Sequence, residues 1–186
     1  MKTDIIHKAA AHVLEHGLAD ESIRAIAQGI GVSHRMINYH FGGSDGFWEA
    51  LINEIRRIEL DKSKSYFSGP KTHAVHEISR AWAYFSTPEY QKIFRIIFEI
   101  HVKVLRAPQE HEAFARSFVD EWQTILIANF ADQFGLTPEQ AKPYARLCTA
   151  CIRGLMLDLL LTQQTDSIAE AAQAFEQLLL SIKRPA

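Results

Sequence analysis

The stretch IRAIAQGIGVSHRMINYHF, residues 23–41, decides the fold of the chain around it. Its first half has apolar residues at i, i+3, i+4 and i+7, the pattern of a helix with one buried face. Gly31 follows, and glycine is common just past a helix end because it adopts positive φ at little steric cost. Ser33 is a good N-cap for a second short helix. We therefore predict a helix-turn-helix over about residues 23–42.

The composition is that of an ordinary globular protein. The 186 residues suffice for one large or two small domains with their own cores. No apolar run approaches the roughly 18 residues of a membrane span, and the N-terminus resembles no signal peptide, so we expect a cytoplasmic protein. Cys148 and Cys151 lie in an apolar helical stretch. We expect both to be reduced core residues, not a redox pair or half of a metal site.

Helical periodicity runs through the whole chain, and no segment has the alternation of a strand. We therefore predict an all-α protein. A three-helix helix-turn-helix bundle, residues 1–50, is joined by a long helix to an all-helical C-terminal domain for ligand binding and dimerisation, residues 51–186. Capping-box spacing at Thr137 with Gln140, and at Ser167 with Glu170, predicts the starts of the last two helices.

The last two helices carry more apolar surface than one face of each can bury. Residues 155–161 are apolar around the whole helix except at Asp158. Helix-turn-helix proteins commonly bind two-fold sites as dimers, which require such a surface. This surface is either buried inside the domain or meets a second copy of the chain, and we favour a homodimer formed by the last two helices as a four-helix contact.

A set of small and apolar residues recurs with definite spacing in the first fifty positions: Ala9-Ala10, Gly17, Ile26-Ala27, Gly31-Val32-Ser33, Ile37, His40-Phe41 and Phe47. In residue type and spacing this set resembles the TetR family of transcriptional regulators over about residues 4–50. The rest is similar only in being helical and in an ending around Arg153-Gly154-Leu155. The resemblance implies a homodimer that binds a palindromic operator in double-stranded DNA, usually as a repressor. A small molecule bound in the C-terminal domain then releases the DNA.

The resemblance also implies which residues contact DNA. The expected set is Ser22, Arg24, Ser33, His34, Arg35, Met36, Asn38, Tyr39 and His40. Arg35 is the best candidate to read guanine, a contact that contributes about 1–3 kcal/mol of discrimination when bidentate. Tyr39 and His40 are expected at phosphates.

Two positions depart from the family pattern, which usually has Tyr at the position of Asn38 and Lys at that of Ser44. A positive charge near a phosphate is thereby lost, although a helix N-terminus at Ser44 still offers N–H groups. The first fifty residues also carry four basic and six acidic side chains. Since phosphate neutralisation supplies most non-specific affinity, we expect weak, salt-sensitive DNA binding.

Aromatic residues of the C-terminal part are candidates for a ligand pocket between helices. Such stripes are more often plain core, so both interpretations stay open. The candidates are Trp82, Phe85, Phe94, Phe98, Phe118, Trp122 and Asp158, the last because its neighbours are all apolar. Glu99 is either a polar group of this pocket or the partner of Arg95 and Lys103 at i, i+4 spacing.

No catalytic motif is present, neither a GxSxG nor a glycine-rich phosphate loop. His12 and His16 have zinc-ligand spacing but no third ligand in the sequence pattern. We therefore expect no enzyme activity, no cofactor and no metal. Two functions remain: a ligand-responsive transcriptional regulator, or a dimeric helical small-molecule-binding or interaction protein that no longer binds DNA.

Overall fold

The structure, a computed structural model, describes residues 1–18, 22–67, 77–106 and 112–181. These residues form helices and no strand, which confirms the all-α prediction. The helices are α1 (Lys2–His16), α2 (Ile23–Gly29), α3 (His34–Phe41), α4 (Ser44–Phe67), α5 (Glu77–Phe85), α6 (Pro88–Arg106), α7 (Glu112–Phe134), α8 (Pro138–Thr162) and α9 (Thr165–Leu180). In the described ranges, none of them has the length and hydropathy of a membrane-spanning helix.

One of the two predicted capping boxes is present. Thr137 and Gln140 exchange side-chain and backbone hydrogen bonds at the start of α8. The box predicted at Ser167 is wrong, because α9 begins at Thr165 and its N-cap residue Gln164 makes no side-chain capping bond. Gln163, in the left-handed region with φ 57°, ends α8. The chain re-enters a helix two residues later, so Ser167 already lies inside the first turn.

The first compact unit comprises Met1–Gly69 and Lys92–Lys103. Helices α1, α3 and α4 pack together here, and α2 packs on α1 and α3. Its core contains fully buried apolar side chains from all four helices, among them Ile5, Val13, Ile26, Ile37, Phe47 and Leu51. Each such side chain stabilises the folded state by about 1.5–3 kcal/mol through the removal of apolar surface from water. The helix-turn-helix is therefore held by its neighbours and not by its own short helices.

The second compact unit comprises Pro70–Gln91 and Val104–Ala186. Helix α8 packs on α7 and α9, and α9 also packs on α5. One core cluster consists of Phe130, Phe134, Leu136, Ala141, Ala145, Cys148 and Leu179. Cys148 and Cys151 are free. Burial raises the pKa of the Cys148 thiol to about 12 and also raises that of Cys151, so neither favours the reactive thiolate.

A buried carboxylate joins α9 to the start of α5. Glu176, 4% exposed, accepts hydrogen bonds from the backbone N–H groups of Ile78 (3.1 Å) and Ser79 (3.2 Å). It also accepts one from the Ser79 hydroxyl at 2.6 Å. A negative charge beside the free N–H groups of a helix N-terminus is electrostatically favourable. These hydrogen bonds explain how the Glu176 carboxylate can be buried where α9 packs on α5.

Candidate nucleic-acid interface

The turn between α2 and α3 has the geometry that the sequence predicts. Helix α2 ends at Gly29, and Gly31 follows with φ +72°, which an L side chain rarely adopts. The Val32 N–H donates to the carbonyl of Ala27 at 2.9 Å and so closes the turn. At each helix start a serine hydroxyl accepts from the third backbone N–H, Ser22 from Ala25 and Ser33 from Met36, both at 3.1 Å. Local chemistry thus determines where both helices begin.

Helix α3 has one buried face and one exposed face. Ile37 and Phe41 are buried against the first unit. Arg35 and Asn38 are exposed on the opposite face, and Tyr39 is 83% exposed. An exposed aromatic side chain and an exposed guanidinium on the same helix are well suited to contact a phosphate and a base edge.

The remaining predicted DNA contacts differ in accessibility. Arg24 and Ser22 are exposed, although the Ser22 hydroxyl is engaged in capping. His34 is half-buried, with its Nδ1 3.5 Å from the Asn38 amide nitrogen. His40 Nε2 is buried and has no hydrogen-bond partner in the part of the chain that the structure describes. That nitrogen is closed to solvent, so the phosphate contact expected of His40 is less well supported than that of Tyr39. Met36 is half-buried and Ser33 is exposed.

The junction of α3 and α4 is unusually close. Gly42, with φ +75°, ends α3. A Cβ atom built on Gly46 would lie 2.0 Å from the carbonyl oxygen of Phe41, so only glycine fits at this position without a backbone shift. The rings of Phe41 and Phe47 pack edge to face at 5.3 Å below the junction. This packing determines where the first turn of α4, with the exposed Ser44, lies relative to α3.

Several acidic side chains of this unit are paired, which reduces their effect on DNA. Asp4 forms an ion pair with Lys8 at 3.0 Å. Glu54 accepts a bidentate pair of hydrogen bonds from Arg57, which lowers the pKa of its carboxyl group.

Three cationic side chains near the helix-turn-helix are candidates to contact DNA. Arg24 and Arg35 form no ion pair with any described residue. Lys2 places its ammonium group 5.3 Å from the centre of the Phe41 ring, at the C-terminal end of α3. Lys2 is a third candidate cation for DNA that no sequence motif marks.

Helix α6 contacts the end of α1 within the same unit. Glu99 Oε2 accepts a hydrogen bond from the backbone N–H of Leu18 at 2.8 Å. Lys92 pairs with Glu15 at 2.6 Å, and this contact lowers the pKa of the Glu15 carboxyl group. The sequence pattern instead predicts a pocket position for Glu99 or partners on its own helix. A partner 81 positions away leaves no periodic signal, so only the tertiary structure identifies it.

The candidate pocket residues are divided between the two units. Trp82 and Phe85 are buried on α5, and Trp122 is half-buried on α7, all in the second unit. Phe94 and Phe98 belong to the first unit, with ring centres 5.9 Å apart. The Phe118 side chain lies outside the described residues. Asp158 is exposed on α8, so its role in a pocket stays a prediction.

Two polar side chains, Trp82 and His12, are partly or fully withdrawn from solvent. Trp82 is 3% exposed, and its indole Nε1 is buried without a hydrogen-bond partner among the described residues. His12 is half-buried, because its ring packs against Gly29 and stacks on His16 at 4.3 Å. Within the described ranges no group of three or more His, Cys, Asp or Glu residues could hold a metal ion.

Comparison with known proteins supports the architecture and not a close relationship. No protein-family model and no curated protein matches the sequence. A solved transcriptional regulator from Rhodococcus sp. Rha1 matches with 20% identity and a TM-score of 0.78, over 96% of this chain and 95% of that one. A Rhodococcus sp. protein assigned to the TetR family of transcriptional regulators matches with 21% identity and a TM-score of 0.70, over 97% and 98%. The chain has the TetR-family fold.

The TetR-family fold extends far beyond the residues that suggested it. The sequence resemblance covers about residues 4–50, whereas the structural matches cover nearly the whole chain. A third match with this fold is a multidrug-binding protein, EbrR, in complex with proflavin, with 22% identity and a TM-score of 0.68 over 96% of this chain and 98% of that one. The C-terminal helices therefore have the arrangement of this fold, although the resemblance in their sequence is confined to an ending around Arg153-Gly154-Leu155.

Proposed function

We propose that the protein is a DNA-binding transcriptional regulator, a repressor that binds a palindromic operator as a homodimer and is released by a small apolar ligand. In this function it acts in the cytoplasm and catalyses no reaction. The observation that carries the proposal is the two-sided helix α3, which buries Ile37 and Phe41 and exposes Arg35, Asn38 and Tyr39. A helix presented in this way after a tight turn fits the major groove with its N-terminal residues leading. The TetR-family fold supports the same function.

Binding to the DNA upstream of the protein's own coding region tests the proposal. We expect specific binding at 50 mM salt that weakens steeply at 200 mM. Arg35→Ala should reduce operator affinity about tenfold or more while affecting random DNA less, since a bidentate base contact contributes about 1–3 kcal/mol. Arg106→Ala, which removes an exposed arginine from the end of α6, is the control. Equal, salt-independent signals on all DNA would rule out a regulator.

We propose that α8 and α9 form the dimer contact. Leu161 on α8 and Leu178 on α9 are 75% and 69% exposed, and the two helices pack against each other. Exposed leucines on neighbouring helices favour association with a second copy. Leu161→Glu should convert the dimer to a monomer in sedimentation experiments. Leu105→Glu is the control, at a leucine on α6 that is 77% exposed, and this variant should remain a dimer. A Leu161→Glu variant that also remains a dimer would contradict the proposed contact between α8 and α9.

The proposed ligand site includes the aromatic residues Trp82 and Phe85 on α5. The indole N–H of Trp82, which has no acceptor among the residues that the structure describes, supports it, because a buried donor without an acceptor costs about 1–3 kcal/mol that a bound acceptor would recover. Structures with this fold contain proflavin in EbrR and choline in a Saccharomonospora viridis protein described as a transcriptional regulator. Native mass spectrometry of the purified protein should detect a bound small molecule. Trp82→Phe, which keeps the ring and removes the donor, should weaken its retention, and unchanged retention would exclude this donor.

A second function is favoured by the charge of the first fifty residues, which carry two more acidic than basic side chains. It is a dimeric helical protein that binds small molecules or a protein partner and has lost DNA binding. The salt series above separates the two functions, because only the regulator binds one DNA sequence preferentially.

A further inference from the structure

We propose that Asn38 reads an adenine in the operator and that His34 is the positioning residue that orients its amide group for this contact. The inference rests on the proposed DNA-binding function and deepens it, because it states which base the operator must contain. It depends only on residues of helix α3, which lies within the first compact unit.

The Asn38 side chain is placed where it can reach a base edge. Asn38 is exposed, one helical turn beyond His34 and three residues beyond the exposed Arg35. Side chains of a helix lean toward its N-terminus, so the Asn38 amide points to the end of α3 that enters a major groove first. Asn38 carries the only amide side chain of this helix, and α3 contains no acidic residue that would repel DNA.

The contact between His34 and Asn38 determines which way the amide is turned. The amide nitrogen of Asn38 lies 3.5 Å from His34 Nδ1. Because an amide nitrogen only donates, the neutral imidazole accepts at Nδ1 and carries its own hydrogen on Nε2. One amide hydrogen of Asn38 is then directed at His34, whereas the second hydrogen and the carbonyl oxygen stay available to a base. At this distance the hydrogen bond is weak, and its effect is to orient the amide.

The available groups of Asn38 match adenine better than the other three bases. In the major groove adenine presents the N6 amino donor beside the N7 acceptor. The Asn38 carbonyl oxygen can accept from N6 while the second amide hydrogen donates to N7, so both groups are paired at once. Guanine presents two acceptors, cytosine a donor, and thymine an acceptor beside a methyl group, so each of them leaves one half of the amide unpaired. An unpaired polar group in a closed interface costs affinity.

Arg35 places a second base close to this adenine. Arg35 and Asn38 are three positions apart on one helix, so their Cβ atoms are about 5–6 Å apart. Successive base pairs are about 3.4 Å apart along the duplex, so the two side chains reach base pairs one or two steps apart. Arg35 is the candidate reader of guanine. Each half-site of the operator should therefore contain a guanine and an adenine that are adjacent or separated by a single base pair.

Selection of double-stranded DNA from a randomised library with the full-length protein tests the inference, and the selected sequences should contain this guanine and adenine. The protein is then titrated with the selected DNA and with a copy whose adenine·thymine pair is replaced by guanine·cytosine. The wild type should prefer adenine by at least about fivefold, the lower limit for a bidentate pair. Asn38→Ala should nearly abolish this preference, and His34→Ala should reduce it without abolishing it.

Two further variants separate base reading from other roles. Tyr39→Phe is the control, because it removes an exposed hydroxyl expected at a phosphate and should weaken binding to both DNAs alike. Asn38→Asp has two acceptors and no donor, and a carboxylate accepts from the cytosine N4 amino group. Selection with Asn38→Asp should therefore exchange the adenine for cytosine. All four variants change exposed or half-buried side chains, so each should keep the helix content of the wild type.

The outcomes distinguish this inference from the proposed function. If the wild-type protein selects no sequence, the proposed function fails. If the wild type selects a sequence but Asn38→Ala weakens binding to both DNAs alike, Asn38 contacts a phosphate, and the inference is overturned while the regulator stands. Retention of the adenine by Asn38→Asp overturns it as well. An unchanged adenine preference in His34→Ala overturns the positioning role of His34.

Discussion

Replacing Ser44 with lysine should strengthen operator binding and steepen its dependence on salt. Ser44 is exposed at the first position of α4, which is held close to the end of α3 by the contact between Gly46 and the Phe41 carbonyl. In the proposed complex a phosphate lies near this helix start. A lysine there would add one phosphate contact in each half of the dimer.

The magnitude follows from counting cations. Arg35 is assigned to a base, so Lys2 and Arg24 are the candidates for phosphate contacts in each protomer, and through them a dimer neutralises about four phosphates. The slope of log K against log salt is then about −3.6, a loss of roughly 150-fold between 50 and 200 mM salt. Two added lysines steepen the slope by about 1.8. The gain in affinity at 50 mM should therefore exceed the gain at 200 mM by roughly twelvefold.

Fluorescence anisotropy with labelled operator DNA at four salt concentrations measures both slopes. Ser44→Gln is the control for side-chain size without charge, and Thr124→Lys places the same charge on an exposed position of α7. Neither control should change the slope. Lysine at a helix N-terminus is mildly unfavourable, by about 0.3–1 kcal/mol, so unfolding curves must accompany the titrations. A folded Ser44→Lys variant with the wild-type slope would refute the placement of a phosphate at α4.

Three further predictions concern stability. Glu176→Ala should lower the free energy of unfolding by about 3 kcal/mol in urea at constant protein concentration, because it strands donors at the start of α5, whereas a change under 0.5 kcal/mol would show that the buried carboxylate is dispensable. Gly46→Ala should push α4 away from the end of α3, because the added Cβ atom meets the Phe41 carbonyl oxygen. Operator affinity should therefore fall while the helix content measured by far-ultraviolet circular dichroism is largely kept. A variant that keeps its operator affinity as well as its helix content would contradict this prediction. The hydrogen bonds from Arg57 lower the pKa of Glu54, so their stabilisation is complete above the ordinary glutamate pKa and is lost as pH falls through the lowered value. In Glu54→Gln the free energy of unfolding should accordingly fall less steeply as the pH is lowered below the ordinary glutamate pKa. If it falls as steeply as in the wild type, groups other than Glu54 cause the acid unfolding.

Local chemistry made the helix-turn-helix predictable from sequence. The apolar spacing of α2, the positive φ at Gly31 and the capping hydroxyl of Ser33 each act within a few residues. The same holds for the capping box at Thr137. The box predicted at Ser167 failed because residue spacing does not reveal where the preceding helix ends. The outward residues of α3 were predicted as a set, but whether each one contacts DNA stays a prediction.

The sequence alone thus determined the all-helical class, the helix-turn-helix and the candidate reading residues, because helix periodicity, caps and turns depend on neighbours in the chain. Only the tertiary structure decided that Glu99 binds the Leu18 N–H, that Glu176 caps α5 and that Gly46 must lack a Cβ atom. The two hydrogen-bonding contacts join residues more than eighty positions apart, and the third depends on the angle between two helices. Contacts of these kinds arise from packing and leave no periodic trace in the sequence.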